Sequence, residues 1–113
     1  MDIIISAKDF KLTPSLKTYV EQKVGKLAHF WSKIIRARVE LKIDHKQKSG
    51  DIFHIEVCLE VPGPDIAMNA KASEMHSAID IVVPKLERQI VKIKGKFEAR
   101  NRKLRQTKLK SFA

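Results

Sequence analysis

The chain has 113 residues, 43% of them apolar, enough to fill one hydrophobic core without disulfides or a structural metal, so it reads as a single domain and disorder throughout is excluded. Its net charge of +10 is unevenly placed: residues 84–113 hold 11 basic and 2 acidic side chains, whereas residues 1–83 hold 12 and 11. Charge concentrated in this way implies a polyanionic partner, nucleic acid first and an anionic membrane surface second, because each cation that neutralises a phosphate releases condensed counterion.

Cys58 is the only cysteine, which rules out an internal disulfide, and no apolar run behind a basic start suggests a secretory signal. No apolar run approaches the roughly twenty residues that span a bilayer. A cytosolic, cytoplasmic protein is expected.

Ile3, Ile5 and Ala7 alternate with Asp2, Ser6 and Lys8, predicting a first short strand with one buried face. Thr13-Pro14 then provides an N-cap and a first helical residue whose missing N–H costs nothing there. Leu16, Tyr19, Val20, Val24 and Leu27 recur at helical spacing, predicting a helix from residue 14 to about residue 30 with Gly25 opposite the stripe. Ile35, Ala37, Val39, Leu41 and Ile43 alternate with charged residues. So do Phe53, Ile55, Val57, Leu59 and Val61, and a polar turn from Lys46 to Gly50 joins the two runs into a hairpin.

Ile66, Met68, Ala70 and Ala72 mark a last strand, whose small residues leave room for a closely packed helix. Ser73 is the expected cap of that helix. Met75, Ile79, Val82, Leu86, Ile90, Ile93 and Phe97 run along one side of it for more than six turns. Pro84 interrupts the bonding but not the phase of the stripe, so a kink is expected and not a break. Beyond Phe97 the pattern fades into basic residues. The whole reads as an α+β fold, β-α-β-β-β-α, a four-stranded, largely antiparallel sheet with two helices on one face. Residues 1–97 form the expected domain and 98–113 a mobile basic tail. The sheet's other face, carrying Arg36, Arg38, Glu40, Lys42, His54, Glu56 and Glu60, reads as a balanced solvent face.

At about 100° per residue, Lys85, Arg88, Lys92 and Lys96 of the second helix fall within about 80° of arc, with Asp80, Glu87 and Glu98 on the opposite flank. A helix that is merely soluble has no need of that sorting, and phosphate binding is the expected use. Lys23 and Lys26 share a flank of the first helix with Tyr19. If the helices lie side by side, their basic flanks can join into one patch. An enzyme is not expected. Cys58 and His54 share a strand face without an orienting third group, the four histidines have no metal-ligand spacing, and the four glycines make no phosphate loop. No cofactor and no small-molecule substrate are implied.

The run from Glu74 to Asp80, then Lys85-Leu86-Glu87-Arg88-Gln89-Ile90 with Lys92, Lys94 and Lys96, resembles the second helix of the ribosome hibernation-promoting factors and ribosome-associated inhibitor A. Thr13-Pro14, Tyr19-Val20, Lys23 and Lys26-Leu27 are similar to the family's first helix. The resemblance implies a fold related to double-stranded-RNA-binding domains. It also implies a ribosome-binding domain over residues 1–97, docked on the small ribosomal subunit between head and body, where tRNA and mRNA otherwise lie. No reaction follows from it; occupancy inhibits translation and preserves ribosomes under stress and in stationary phase. The rRNA-binding residues it implies are Lys23, Lys26, Lys85, Arg88, Gln89, Lys92 and Lys96. The protein is expected to be monomeric off the ribosome, and no membrane partner is expected, because Leu104, Leu109 and Phe112 are too few and too scattered for an apolar face. His76, Pro84 and the basic tail depart from the family's pattern. A general double-stranded-RNA binder is the alternative reading, because the same surface would suit any A-form helix.

Overall fold

A computed structural model describes residues 1–8, 10–44, 50 and 52–111, the last twelve by the course of the backbone alone. Strand β1 spans Asp2–Lys8, helix α1 Pro14–Gly25, strands β2, β3 and β4 Arg36–Ile43, Phe53–Glu60 and Ile66–Ala72, and helix α2 Met75–Ser111. The sheet order is β1-β2-β3-β4, with β1 parallel to β2 and the other two pairs antiparallel. The parallel pair follows from the helix between its strands, since a chain that returns through a helix arrives running the same way. This is the expected α+β order and sheet. The turn expected from Lys46 to Ser49 lies outside the described residues.

Thr13 caps α1 as its sequence implies: Oγ1 accepts the Leu16 N–H at 3.2 Å, and the Thr13 carbonyl accepts the Lys17 N–H at 2.9 Å. The α-helix ends sooner than its apolar stripe. At Gly25 the chain tightens into a 3-10 helix, Lys26–His29, which still turns Leu27 fully inward. Gly25 is not opposite the core, because a Cβ there would stand 3.9 Å from Ile3 Cδ1 of β1.

Leu16, Val20, Val24 and Leu27 from the first helical stretch meet Ala37, Val39, Leu41, Ile55, Val57 and Leu59 of the sheet. Ile79, Val82, Leu86 and Ile90 of α2 cover the other half, leaning mainly on β4, where Ala70 and Ala72 give the close approach. Ile35 departs from its strand pattern and is 59% exposed. It precedes β2, and its peptide groups are taken at the sheet's margin by Glu60 and Asp2.

Helix α2 starts one residue later than expected, with the Glu74 carbonyl rather than that of Ser73 accepting the first intrahelical bond, from Ala78 N–H at 3.1 Å. It runs uninterrupted through Pro84, and its backbone stays helical well past the end of the apolar stripe at Phe97. Among the described residues no helix is long and apolar enough to cross a membrane.

Candidate nucleic-acid interface

Lys85, Arg88, Lys92 and Lys96 stand exposed on α2 and Gln89 is half-buried beside them, as expected for a flank bordering the apolar stripe. Their alkyl stems carry the charges clear of the core, which is how a helix presents cations without losing its packing. On the first helical stretch Lys26 is exposed and Lys23 half-buried. Lys23 lies over the Tyr19 ring, with Nζ 5.5 Å from the ring centre, a favourable approach of a cation to an aromatic face.

The two helices lie side by side, but α2 turns its acidic flank to α1. The Tyr19 hydroxyl donates to the Asp80 carboxylate, and the Tyr19 and His76 rings sit 4.6 Å apart between centroids. Further along, Lys94 Nζ donates to the Phe30 carbonyl at 3.2 Å, at the C-terminal end of the 3-10 turn where a cation is electrostatically favoured. His76, Asp80, Glu87 and Lys94 fall within about 40° on the helical wheel, and the basic flank is centred about 140° away. The basic residues of α2 therefore do not abut Lys23 and Lys26. Instead the two groups border opposite sides of the outward crest of α2, all within the helix layer. Tyr19 is a strut between helices that also carries Lys23, a role the sequence did not distinguish from core packing.

Hydrogen bonding to Asp80, followed by partial burial and the nearby carboxylate charge, pushes the Tyr19 phenol above its ordinary value. Phe97 anchors the lower end of the layer: it meets Trp31 edge-on at 5.6 Å, and Lys33 Nζ lies 5.1 Å from its centre.

The outer face of the sheet carries a chain of ion pairs: Arg36–Glu60 at 3.8 Å, Arg38–Glu60 at 3.5 Å and Arg38–Asp65 at 3.9 Å. These two arginines are thus committed to acids, and the basic flank of α2 is not. Cys58 belongs to this outer cluster, receiving an Arg38 N–H at 3.5 Å. That bond, together with the acids nearby, holds the Arg38 guanidinium still more firmly charged. His54 is four residues along the same strand from Cys58, about 13 Å, too far to act as its base. Among the described residues no cluster has the make-up of a metal site.

Residues 3–98 match the family model described as Sigma 54 modulation protein / S30EA ribosomal protein, and the chain belongs to that family. It is 34% identical over 97 residues to the ribosome hibernation promoting factor of Azotobacter vinelandii, covering 85% of each chain. The factor of the same name from Escherichia coli K12 is 30% identical over 98 residues, covering 87% of this chain and 98% of its own. In fold it is similar to a ribosomal subunit interface protein from Coxiella burnetii, with TM-score 0.74, 22% identity, and coverage of 84% of this chain and 99% of that one. The N-terminal domain of Protein Y from Thermus thermophilus is similar too, with TM-score 0.70, 23% identity, and coverage of 82% and 99%. The family is not one of enzymes.

Proposed function

We propose that this chain, as a member of that family, is a ribosome hibernation factor that docks its helix layer on small-subunit rRNA and inhibits translation by occupancy. The observation that carries the reading is the exposed flank of Lys85, Arg88, Lys92 and Lys96, which has no acid paired to it among the described residues. Several uncompensated cations on one rigid helix are arranged to neutralise successive phosphates, each adding to a cumulative affinity. Lys23 and Lys26 address the same ligand from the other side of the crest, and Gln89 offers an amide beside the flank.

Such binding places the protein in the cytoplasm, in the tRNA and mRNA channel between head and body, during stress or stationary phase. It needs no cofactor and no oligomer. Residues 98–113 act as a basic extension that speeds encounter with the ribosome.

The test is sedimentation with purified small subunits through a sucrose gradient, alongside cell-free translation. Cosedimentation and inhibition without nucleotide consumption are expected. Full translational activity at a several-fold excess of protein over ribosomes removes the reading. If bare duplex RNA competes with ribosomes on equal terms, the protein is a general double-stranded-RNA module instead.

A further inference from the structure

The crest of α2, the line facing away from both the sheet and α1, is not the polar surface that a solvated helix presents. Ser77, Ile81, Pro84, Arg88, Val91 and Gly95 fall within about 80° of arc there. No acid is among them. Ile81 is 42% exposed and Val91 58%, and Pro84 is also open to solvent. Ile81 and Val91 are ten residues apart, about 15 Å along the axis. Neither belongs to the core cluster, in which α2 places Ala78, Ile79, Val82, Val83, Leu86 and Ile90. Between and beside them rise Lys85, Arg88 and Lys92. The surface therefore alternates apolar and cationic groups over three turns, and α1 and the 3-10 turn that follows it bring Lys23 and Lys26 along its far border.

We infer that Ile81, Pro84 and Val91 form an apolar ridge that packs against the riboses and base faces of the bound RNA, while the flanking cations hold its phosphates. The charge around the ridge decides what covers it. A second copy laid crest to crest would set Lys85, Arg88 and Lys92 against their own counterparts, in a chain already at +10. A bilayer would receive only three short side chains in one line, too little for an interfacial helix. RNA offers both faces that the surface requires, anionic at the phosphates and apolar at sugars and bases. The ridge supplies affinity that salt does not screen, because burial of apolar surface releases no counterion.

This inference rests on the ribosome reading for the origin of the RNA, and the test separates the two. The double variant Ile81→Ser, Val91→Ser, checked for unchanged melting, is compared with wild type for binding to purified small subunits over a salt series. Binding should weaken roughly five- to tenfold, with the log–log salt slope unchanged. In parallel, the methyl resonances of Ile81 and Val91 are followed as a short RNA hairpin is added, and they should shift with the Lys85, Arg88 and Lys92 amides. Wild-type affinity in the double variant overturns the ridge, as do methyls that stay still while the hairpin binds. Weakened subunit binding with unaltered hairpin binding assigns the ridge to a ribosomal protein and overturns its role on RNA. If the hairpin moves the methyls but subunits are not bound, the ridge stands and the ribosome reading fails. If neither ligand binds, both fall.

Discussion

Tyr19 of α1 donates its phenolic hydrogen bond to the Asp80 carboxylate of α2, and that bond ties the two helices together through the acidic flank of the longer one. It fixes which side of α2 is left for a ligand: with Asp80 turned to α1, Lys85, Arg88 and Lys92 face outward.

Tyr19 is the only tyrosine in the chain, so tyrosinate absorbance reports on it alone. Its folded-state pKa lies above the ordinary value, chiefly through the bond to Asp80. The folded protein therefore keeps a proton that the unfolded chain loses near pH 10. The stability from this pairing is complete below that pH and is lost as pH rises through the folded value. Melting curves should fall more steeply above about pH 10 in wild type than in Tyr19→Phe. At neutral pH the variant should lose about 0.5 kcal/mol, the low end for a hydrogen bond open to solvent. Asp80→Asn should return the phenol toward its ordinary pKa.

What the sequence disclosed tracks what periodicity encodes. The α2 stripe, the two hairpin strands and the Thr13 cap are legible because each depends on neighbours within one or two turns. Two kinds of information are not. The rotation of α2 against α1 depends on which side chains meet across the groove, and the Tyr19–Asp80 bond joins residues 61 positions apart. Strand register is hidden in the same way. The outer face is balanced as a composition, yet register gathers Lys8, Lys42, His54 and Lys71 into one row across four strands and sets Glu40 opposite Glu56 in the next. Ile35 fits the alternation in type but lies beyond the end of the strand, so pattern alone places it inside. The crest of α2 is visible on a helical wheel only as apolar residues outside the stripe. Its character emerges once the sheet and α1 have claimed the other sides of the helix.

The Glu40–Glu56 pair offers a stability test remote from the proposed interface. Like charges directly opposite on antiparallel strands repel, and glutamate is a weak strand former. Glu56→Thr should stabilise the domain by about 0.2–1 kcal/mol at neutral pH. Denaturant midpoints of the variant and the parent measure it.

Neutralising Lys85, Arg88 and Lys92 together to Gln should weaken small-subunit binding and flatten its salt dependence by about 0.7–0.9 of a log–log unit for each phosphate that is no longer neutralised. The fold should persist, since all three side chains are exposed and none joins the core. An unchanged slope would place the phosphate-binding surface elsewhere on the molecule.

Residues 98–113 carry six Lys/Arg and one acid. The apolar stripe of α2 ends at Phe97, which packs on Trp31, so removing everything after it leaves the core intact. The truncation removes charge beyond the folded body, whose main effect is long-range attraction. The shortened protein should associate with ribosomes more slowly, with the difference greatest at low salt, where the Debye length is longest. The dissociation rate should change much less, because the groups proposed to hold the complex lie within the folded body and not in the tail. Stopped-flow association and dissociation at several ionic strengths separate the two effects. A folded truncation that no longer inhibits translation at any concentration would make the tail itself the blocking element and displace the helix flanks from that role.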